Sequence, residues 1–189
     1  MSGAGSQSIF AQGGGAFSAE ELDRLERYCD GLALTKSSLG GPQGQYTNDV
    51  IRICHVASIL QMPDIMWFYE RVAGIVRDFN QRTFRFDLRG FSEPPQYMVY
   101  NGTEGGHFDW HMDTGSRPPR KLSLTIQLSD PAAYTDCDLQ FNTGTVTYNA
   151  PRDRGMVVGF PSHTIHRVTP ITSGTRKAIV AWITGPDFK

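Results

Sequence analysis

Cysteine, histidine and long apolar runs are all scarce in this chain of 189 residues. The three cysteines, Cys29, Cys54 and Cys137, are odd in number and include no C-x-x-C pair, which argues against a disulfide framework or a cysteine zinc site. No apolar run is long enough to predict a membrane-spanning helix. The first residues, MSGAGSQSIFAQGGG, have neither a basic start nor an apolar core, unlike a secretory signal peptide. We therefore expect a cytoplasmic protein with no membrane partner.

An excess of charge of either sign is also lacking. Lysine and arginine number 18, aspartate and glutamate number 19, and the formal net charge is -1. This balance gives no general attraction to polyanions, so we expect no nucleic-acid partner. Glycine and proline are plentiful, at 20 and 11, and aromatic residues make up 11% of the chain. That composition predicts many turns and a β-rich core.

The chain divides by composition into an arm and one domain. Residues 1–16 are rich in glycine, serine, alanine and glutamine, and they predict a flexible N-terminal arm. Residues 17–189 have the size of a single domain. We expect a helical layer over residues 17–80 and a β-barrel over residues 84–185, which makes the fold mainly β with N-terminal helices (α+β).

Two amphipathic helices are predicted in the helical layer. The first runs from Ala19 to Leu34 and follows Ser18, which opens an S-x-x-E capping box. The second starts at Pro63 and ends near Asn80. Between them, the Gly/Pro-rich segment Lys36 to Asp49 is long enough to serve as a lid over a site.

Short strands separated by turn residues at spacings of about ten are typical of a sandwich or barrel. Alternating or apolar runs predict strands at Val50 to Val56, Phe84 to Leu88, Gln96 to Tyr100, Gly106 to Asp113, Lys121 to Ser129, Asp138 to Asn142, Thr145 to Asn149, Gly155 to Phe160, His166 to Ile171 and Arg176 to Thr184.

The strand from Leu122 to Ser129 alternates strictly between apolar and polar side chains. Its polar positions include Ser123, Thr125 and Gln127. A polar face of this kind either meets solvent, the usual case in a half-buried sheet, or lines a wet cavity inside a barrel. The alternation does not choose between them.

Four of the five histidines fall within sixty residues. In GGHFDWHMDTG, strand alternation puts His107, Asp109, His111 and Asp113 on one face, which gives two overlapping H-x-D pairs. A His and a carboxylate two apart can offer two ligands to one metal ion, and a third can come from the segment FPSHTIHRV, through His163 or His166. Two histidines and one carboxylate form the facial triad of non-heme Fe(II) oxygenases.

An arginine begins the apolar strand in TSGTRKAIVAWI. Because an unpaired buried charge is costly, Arg176 needs a partner, and its planar fork suits a carboxylate. The partner is a protein carboxylate, solvent at the strand end, or the distal carboxylate of a dicarboxylate co-substrate.

These residues together resemble the Fe(II)/2-oxoglutarate-dependent dioxygenases, in particular the prolyl 4-hydroxylase-like group and its PKHD-type branch. The resemblance is carried by Tyr100, the H-x-D pair at His111, RKLSLTIQLSDPAAY, Gly155, FPS, HRV from His166, Gly174-x-Arg176 and Trp182. It implies a double-stranded β-helix, a jelly-roll or cupin-like barrel.

The resemblance also implies a role for each candidate residue. Carried over by position, the metal ligands are His111, Asp113 and His166, and the residues that bind 2-oxoglutarate are Arg176, Tyr100 and Gln127. The polar strand face then lines the barrel, and His107 and Asp109 become candidates to support the ligands or contact substrate. The implied cofactors are Fe(II), 2-oxoglutarate as co-substrate and dioxygen, with ascorbate as a candidate reductant.

The expected activity is hydroxylation of a C–H bond in a peptidyl or free amino-acid-like substrate, with release of succinate and carbon dioxide. The alternatives are demethylation, desaturation or epimerisation of a small molecule with the same cofactors, a zinc hydrolase using the same ligands, and a non-enzymatic binding barrel. One departure bears on the substrate. Where the PKHD pattern reads Tyr-Asp-Gly-Gly-Glu-Leu, the segment from Tyr134 to Leu139 reads YTDCDL.

Overall fold

The computed structural model describes residues 9–41, 44–116 and 118–187. Its helices are α1 (Ala19–Asp30) and α2 (Met66–Phe79). In chain order its strands are β1 (Ala11–Gly13), β2 (Thr35–Lys36), β3 (Leu39–Gly41), β4 (Gly44–Tyr46), β5 (Arg52–Ile53), β6 (His55–Ser58), β7 (Gly90–Phe91), β8 (Gln96–Asn101), β9 (His107–His111), β10 (Arg120–Gln127), β11 (Tyr134–Asp136), β12 (Leu139–Asn142), β13 (Thr147–Asn149), β14 (Val157–Pro161), β15 (Ile165–Val168) and β16 (Ile171–Thr184).

The strands form a large sheet, a small sheet and a separate hairpin. The large sheet has the order β1-β14-β10-β16-β8-β6-β2, with β7 and β11 also paired to β16. The small sheet has the order β13-β12-β15-β9-β5, and β3 pairs with β4. Every pairing is antiparallel, and neighbouring strands in a sheet are often distant in sequence, so each sheet is assembled by crossover connections.

The two helices cover one face of the large sheet. Leu25 of α1 and Phe68 of α2 are fully buried in one cluster with Leu124 of β10 and Ile179 of β16. A second apolar cluster, which includes Phe141 and Phe160, fills the space toward the small sheet. The central strands therefore carry apolar side chains on the helix side and are free to present polar ones on the other.

Helix α1 begins as predicted and ends earlier. The Ser18 hydroxyl accepts a hydrogen bond from the backbone of Glu21, whose carboxylate accepts one from the Ser18 backbone, so the predicted capping box is confirmed. The helix stops at Asp30, four residues before the predicted end, and three-residue turn bonds from the Gly31 and Leu32 amides to Tyr28 and Cys29 close its last turn. Among the described residues, neither helix has the length and apolar character needed to cross a membrane.

The strand predicted from Phe84 to Leu88 is wrong. Helix α2 continues into a wider helical turn over Asn80–Phe84, and Arg85 ends it with a left-handed backbone, φ 55°. The Asn80 side chain bonds both the amide and the carbonyl of Phe86, which holds this exit in place. The Asn80 side chain thus bonds the backbone groups of Phe86, which in a strand would have bonded a neighbouring strand.

The N-terminal segment differs in part from the predicted flexible arm. Strand β1, Ala11–Gly13, pairs with β14 at the edge of the large sheet, so these residues are ordered by backbone hydrogen bonds. Residues 1–8 of the predicted arm lie outside the described residues.

Two further segments are more regular than predicted. The Lys36 to Asp49 loop begins at the last residue of β2 and contains the β3–β4 hairpin, whose residues Leu39 and Tyr46 reach the wall of the central cavity. The single strand predicted from Val50 to Val56 is divided at Cys54. Strand β5 joins the small sheet and β6 joins the large one, so this segment links the two sheets.

Gly174 lies where the backbone leaves no room for a side chain. Its φ is +76°, and a Cβ would fall 2.1 Å from the carbonyl oxygen of Ala133. We expect Gly174→Ala to lower the free energy of unfolding by about 2 kcal/mol or more, since the left-handed backbone and the clash both oppose it. The measurement is urea unfolding. The matched control is Gly74→Ala on the exposed side of α2, where nothing lies within 4 Å and helix propensity predicts a gain of up to about 1 kcal/mol. Equal effects at both positions would contradict this explanation.

Candidate functional site

The backbone of the small sheet brings three candidate ligands together. His111 ends β9 and lies directly opposite His166 of β15. Two residues beyond His111, the backbone N–H of Asp113 donates to the carbonyl of Ser162, at the end of β14. As a result, one ligand atom from each of His111, Asp113 and His166 falls within 4.8 Å of the others.

Backbone carbonyls orient both imidazole rings in the same way. The Nδ1 of His111 lies 2.7 Å from the carbonyl of Asp109, and the Nδ1 of His166 lies 2.9 Å from the carbonyl of Thr164. Each Nδ1 therefore carries the proton, which leaves each Nε2 with a free lone pair. Both Nε2 atoms face Asp113, at 3.7 Å from Oδ1 and Oδ2 respectively.

Burial sets the charge state of this group. Desolvation and the neighbouring His166 lower the pKa of His111 to about 4, so its ring is neutral near neutral pH. Burial opposes ionisation of Asp113, but His166, His111 and the Ser123 hydroxyl outweigh it and hold the pKa of this carboxyl below its usual value. A neutral imidazole and an ionised carboxylate are the forms that bind a metal ion.

The donor set fits a divalent first-row metal. Two nitrogens and one oxygen on one side of a cavity form the facial arrangement of non-heme iron sites. The 3.7 Å separations suit a common ion with bonds of about 2.1 Å, because two ligands of such an ion lie at most about 4.2 Å apart. The hydrogen bonds that orient both rings are the outer contacts that metal-binding histidines normally have.

Strand β10 supports the carboxylate from the large sheet. The Ser123 hydroxyl donates to Asp113 Oδ2 at 2.7 Å, and the Ser162 hydroxyl lies 2.9 Å from Ser123. Ser123, Thr125 and Gln127 are all buried, so the solvent-facing interpretation of this polar face is wrong. The apolar residues of β10 pack under the helices, which turns the polar ones toward the barrel interior.

A β-bulge separates the two H-x-D pairs. His166 pairs with His111, but Val168 pairs with Phe108, so three residues of β9 oppose two of β15. The extra residue shifts the alternation, and Phe108 stacks on the His111 ring with centroids 3.5 Å apart. The predicted shared face for His107 and His111 is therefore wrong.

The first H-x-D pair lies away from the ligands. The His107 ring lies between the carbonyls of Gly105 and Val50, and the exposed Asp109 side chain accepts from the Trp110 amide. Neither side chain reaches the site, and Asp109 contacts the ligands only through its backbone carbonyl, which accepts from His111 Nδ1. His163 is exposed, and His55 lies 3.4 Å from Glu104. Sequence alternation missed Phe108 because no residue type signals a bulge here.

Arg176 is a deeply buried cation beside the ligands. It is 2% exposed and begins the apolar part of β16. Its guanidinium donates to the neutral Oε1 of Gln127 at 2.8 Å and lies 5.5 Å from the centre of the Tyr100 ring. Within the described ranges, no aspartate or glutamate forms an ion pair with it. The protein-carboxylate interpretation of Arg176 is therefore wrong.

The ligands and Arg176 face one cavity of about 770 Å³. Both sheets line it, since β9 contributes His111 while β8 and β16 contribute Tyr100 and Arg176. Gln127 does not line the cavity, although it was predicted to contact the co-substrate. It lies behind Arg176 and holds the guanidinium instead.

The turn that departs from the PKHD pattern keeps the backbone that glycines would give. Asp136 and Cys137 stand where the pattern has two glycines, and both have positive φ, 61° and 60°. Such values are costly for residues other than glycine, so the turn is held by its surroundings. The Cys137 thiol lies against Arg176, and burial raises the pKa of this thiol.

The chain is similar to known proteins in sequence and in fold. Residues 95–184, which include every candidate ligand and Arg176, match the 2OG-Fe(II) oxygenase superfamily. A PKHD-type hydroxylase of Teredinibacter turnerae is 35% identical over 97 residues, which cover 48% of this chain and 42% of that protein. A PKHD-type hydroxylase of Pseudomonas putida is 27% identical over 179 residues, covering 89% and 75% respectively. The chain spans about half the length of most of the curated relatives it matches.

Solved structures share the whole fold. A Pseudomonas putida prolyl-4-hydroxylase has a TM-score of 0.74 at 16% identity, and the match covers 95% of this chain and 94% of that one. A prolyl hydroxylase from Trichoplax adhaerens, in complex with a hypoxia inducible factor peptide fragment, has a TM-score of 0.75 at 17% identity, covering 93% and 83%. The predicted double-stranded β-helix is confirmed by these likenesses.

Removing the Ser123 hydroxyl should weaken metal binding without unfolding the barrel. Ser123→Ala deletes the 2.7 Å hydrogen bond to Asp113, and the loss of such outer contacts typically costs 10-fold to 100-fold in metal affinity. The measurement is calorimetric titration with Mn(II). The matched control is Ser129→Ala, which removes a buried hydroxyl just past β10 that bonds the backbone of Thr175 and Lys177 instead. An unchanged Mn(II) affinity in Ser123→Ala would show that this hydroxyl does not support the site.

Proposed function

Since residues 95–184 belong to the 2OG-Fe(II) oxygenase superfamily, we propose that this protein is an Fe(II)- and 2-oxoglutarate-dependent dioxygenase. The proposed reaction is hydroxylation of a C–H bond in a peptidyl or free amino-acid-like substrate, as in prolyl hydroxylases. The relatives support this proposal through their names, PKHD-type hydroxylase and prolyl-4-hydroxylase.

The single observation that carries the proposal is the unpaired guanidinium of Arg176 in the same cavity as the three ligands. An isolated buried charge is costly, and a bidentate carboxylate is its natural counterpart. A dicarboxylate whose other end reaches the metal would satisfy both requirements at once. Of the described residues, none supplies that negative charge, so the co-substrate is the proposed source.

In the proposed enzyme, His111, Asp113 and His166 would hold Fe(II), and the chemistry it would supply with 2-oxoglutarate and dioxygen is oxidation of a substrate C–H bond, with succinate and carbon dioxide as co-products. The hydrogen bond from the Ser123 hydroxyl restricts rotation of the Asp113 carboxylate. Phe108 covers one face of the His111 ring. These contacts keep the ligands in one geometry before any cofactor binds, which reduces the cost of reorganisation.

Tyr100 and Gln127 contribute differently to co-substrate binding. Tyr100 is 2% exposed, lines the cavity and packs beside Arg176, so its hydroxyl is the proposed second donor to the co-substrate carboxylate. Burial raises the pKa of Tyr100 well above its usual value, which keeps this hydroxyl protonated. Gln127 acts through Arg176 as a positioning residue.

The alternatives differ in how well they account for the site. A zinc hydrolase would use the same ligands but leaves Arg176 without a partner. A non-enzymatic barrel would not need an intact ligand set. Demethylation, desaturation or epimerisation of a small molecule uses the same residues, and only the substrate distinguishes it from hydroxylation. The hypoxia inducible factor peptide bound to the Trichoplax protein supports a peptide as one form of substrate.

A cytoplasmic location is part of the proposal. The three cysteines are free and buried, which suits a reducing compartment. Ascorbate remains a candidate reductant, and nothing in the cavity distinguishes a site for it.

Replacing the ligand carboxylate should abolish turnover. We expect Asp113→Ala to reduce 2-oxoglutarate-dependent succinate formation to background, because the metal loses its only anionic protein ligand in the proposed set. The matched control is Asp109→Ala, the same substitution two residues before His111 at an exposed position. Full succinate formation by Asp113→Ala would overturn the assignment.

Neutralising Arg176 should weaken co-substrate binding. We expect Arg176→Gln to raise the dissociation constant for 2-oxoglutarate at least about 100-fold, the scale for loss of one partner of a buried charge pair. Anaerobic titration of the Fe(II) protein, followed by 2-oxoglutarate-dependent absorbance, measures it. Arg167→Gln on the neighbouring small sheet is the control, since Arg167 bonds Gln140 and does not line the cavity. Equal affinity in wild type and Arg176→Gln would exclude the proposed pairing.

A further inference from the structure

The cavity contains a second arginine without an anionic partner. Arg52 of β5 lines the cavity and is half-buried. Its guanidinium donates to the sulfur of Cys54 at 3.1 Å, to the sulfur of Met98 at 3.6 Å and to the carbonyl of Ser38 at 3.4 Å. Thiol and thioether sulfurs are weak acceptors, and the carbonyl contact is long, so this charge is poorly satisfied.

Another arginine that lines the cavity has an anionic partner, unlike Arg52. Arg120 is held by both carboxylate oxygens of Glu93, at 2.6 and 2.7 Å. Among the residues that the structure describes, no carboxylate lies within ion-pair distance of Arg52. The cavity therefore has one cation that is already neutralised and two, Arg52 and Arg176, that face it without a counter-charge.

Arg52 lies close to the candidate metal ligand His111, and its positive charge also reaches Tyr100. Arg52 pairs with Phe108 across β5 and β9, and its guanidinium carbon lies 4.5 Å from the centre of the Phe108 ring. That ring stacks on His111. Arg52 is thus one aromatic ring away from a candidate metal ligand and belongs to the small sheet, whereas Arg176 belongs to the large sheet.

Arg176 and Arg52 lie on different sheets and in different surroundings, so we assign a separate anion to each. Arg176 is enclosed, with Gln127 behind it and Tyr100 beside it, and the distal carboxylate of 2-oxoglutarate is proposed to bind there. Arg52 is more exposed and is bordered by Ser38, in the segment leading into the β3–β4 hairpin. A volume of about 770 Å³ is large enough for a second small ligand beside the co-substrate.

We propose that Arg52 binds a carboxylate of the substrate, so that the oxidised carbon lies close to a free carboxyl group. This inference rests on the proposed function and makes its substrate class narrower. The shared chemistry is an α-carboxylate, which a free amino acid or the C-terminal residue of a peptide can supply. An internal peptide residue with a neutral side chain, whose carbonyl is in an amide, lacks the charge that Arg52 requires.

The test compares matched ligands on the intact protein. The probes are free amino acids, N-acetyl amino acids and the primary amides of the same N-acetyl amino acids, with proline included in each set. Binding is measured by calorimetry without oxygen, with Fe(II) and 2-oxoglutarate present. We expect the best-binding acids to bind at least about 100-fold more tightly than their amides, since the amide leaves the guanidinium unpaired. A preference for free amino acids identifies a metabolite, and a preference for N-acetyl amino acids identifies a peptide terminus.

Variants connect that preference to Arg52. In Arg52→Gln the best acid should bind no more tightly than its amide, and Arg52→Lys, which keeps the charge, should retain part of the preference. Arg167→Gln should behave as wild type. Equal binding of acids and amides by the wild-type protein, no binding by any probe, or an acid preference that survives in Arg52→Gln would each overturn the proposal.

Failure of the proposed function has a different signature. Wild-type Fe(II) protein that shows no 2-oxoglutarate-dependent absorbance would refute the oxygenase assignment, while an acid preference in the binding measurement would remain. Succinate formation combined with equal binding of acids and amides would refute only the role of Arg52. Mass spectrometry for the gain of one oxygen then identifies which bound acid is hydroxylated.

Discussion

The pairing of His111 with His166 across β9 and β15 is the contact on which the candidate site depends. These residues are 55 positions apart in the sequence, and backbone hydrogen bonds of the small sheet alone bring their rings together. Asp113 is attached to the same frame by a backbone bond to Ser162, so all three ligands are positioned by main chain rather than by flexible side chains. Such a site needs little rearrangement to receive a metal ion.

The large sheet completes the site by using both faces of the same strands. One face of β10 and β16 packs under the helices, and the other directs Ser123 to Asp113 and Arg176 to the cavity. A buried polar group without a hydrogen-bond or charge partner is costly, because little water reaches it. Ser123 donates a hydrogen bond to Asp113, and Arg120 forms an ion pair with Glu93. Arg176 and Arg52 have no carboxylate partner among the described residues. The cavity therefore carries uncompensated positive charge, which points to anionic ligands.

Much of this arrangement could be predicted from the chain itself. Most strands, two H-x-D pairs, two candidate distal histidines and Arg176 were recognisable because strand alternation and ligand chemistry leave local signals, and the family resemblance then selected His111, Asp113 and His166. The prediction failed where local signals are absent or misleading. The run from Phe84 to Leu88 alternates like a strand, yet Asn80 and Arg85 end a helix there. His107 has the same residue type and spacing as His111, yet the bulge in β9 turns it toward backbone carbonyls.

The sequence by itself determined which donors are available, in what order, and that their chemistry suits a metal ion and a dicarboxylate, because residue type decides what an atom can bind. Only the tertiary structure decided that a bulge turns His107 away from the ligands, that Gln127 lies behind Arg176, and that Arg52 enters the same cavity without an anionic partner among the described residues. Those outcomes depend on strand register and on contacts between residues far apart in the chain. A shift of one residue in register reverses which face a side chain occupies, and no single segment contains that information.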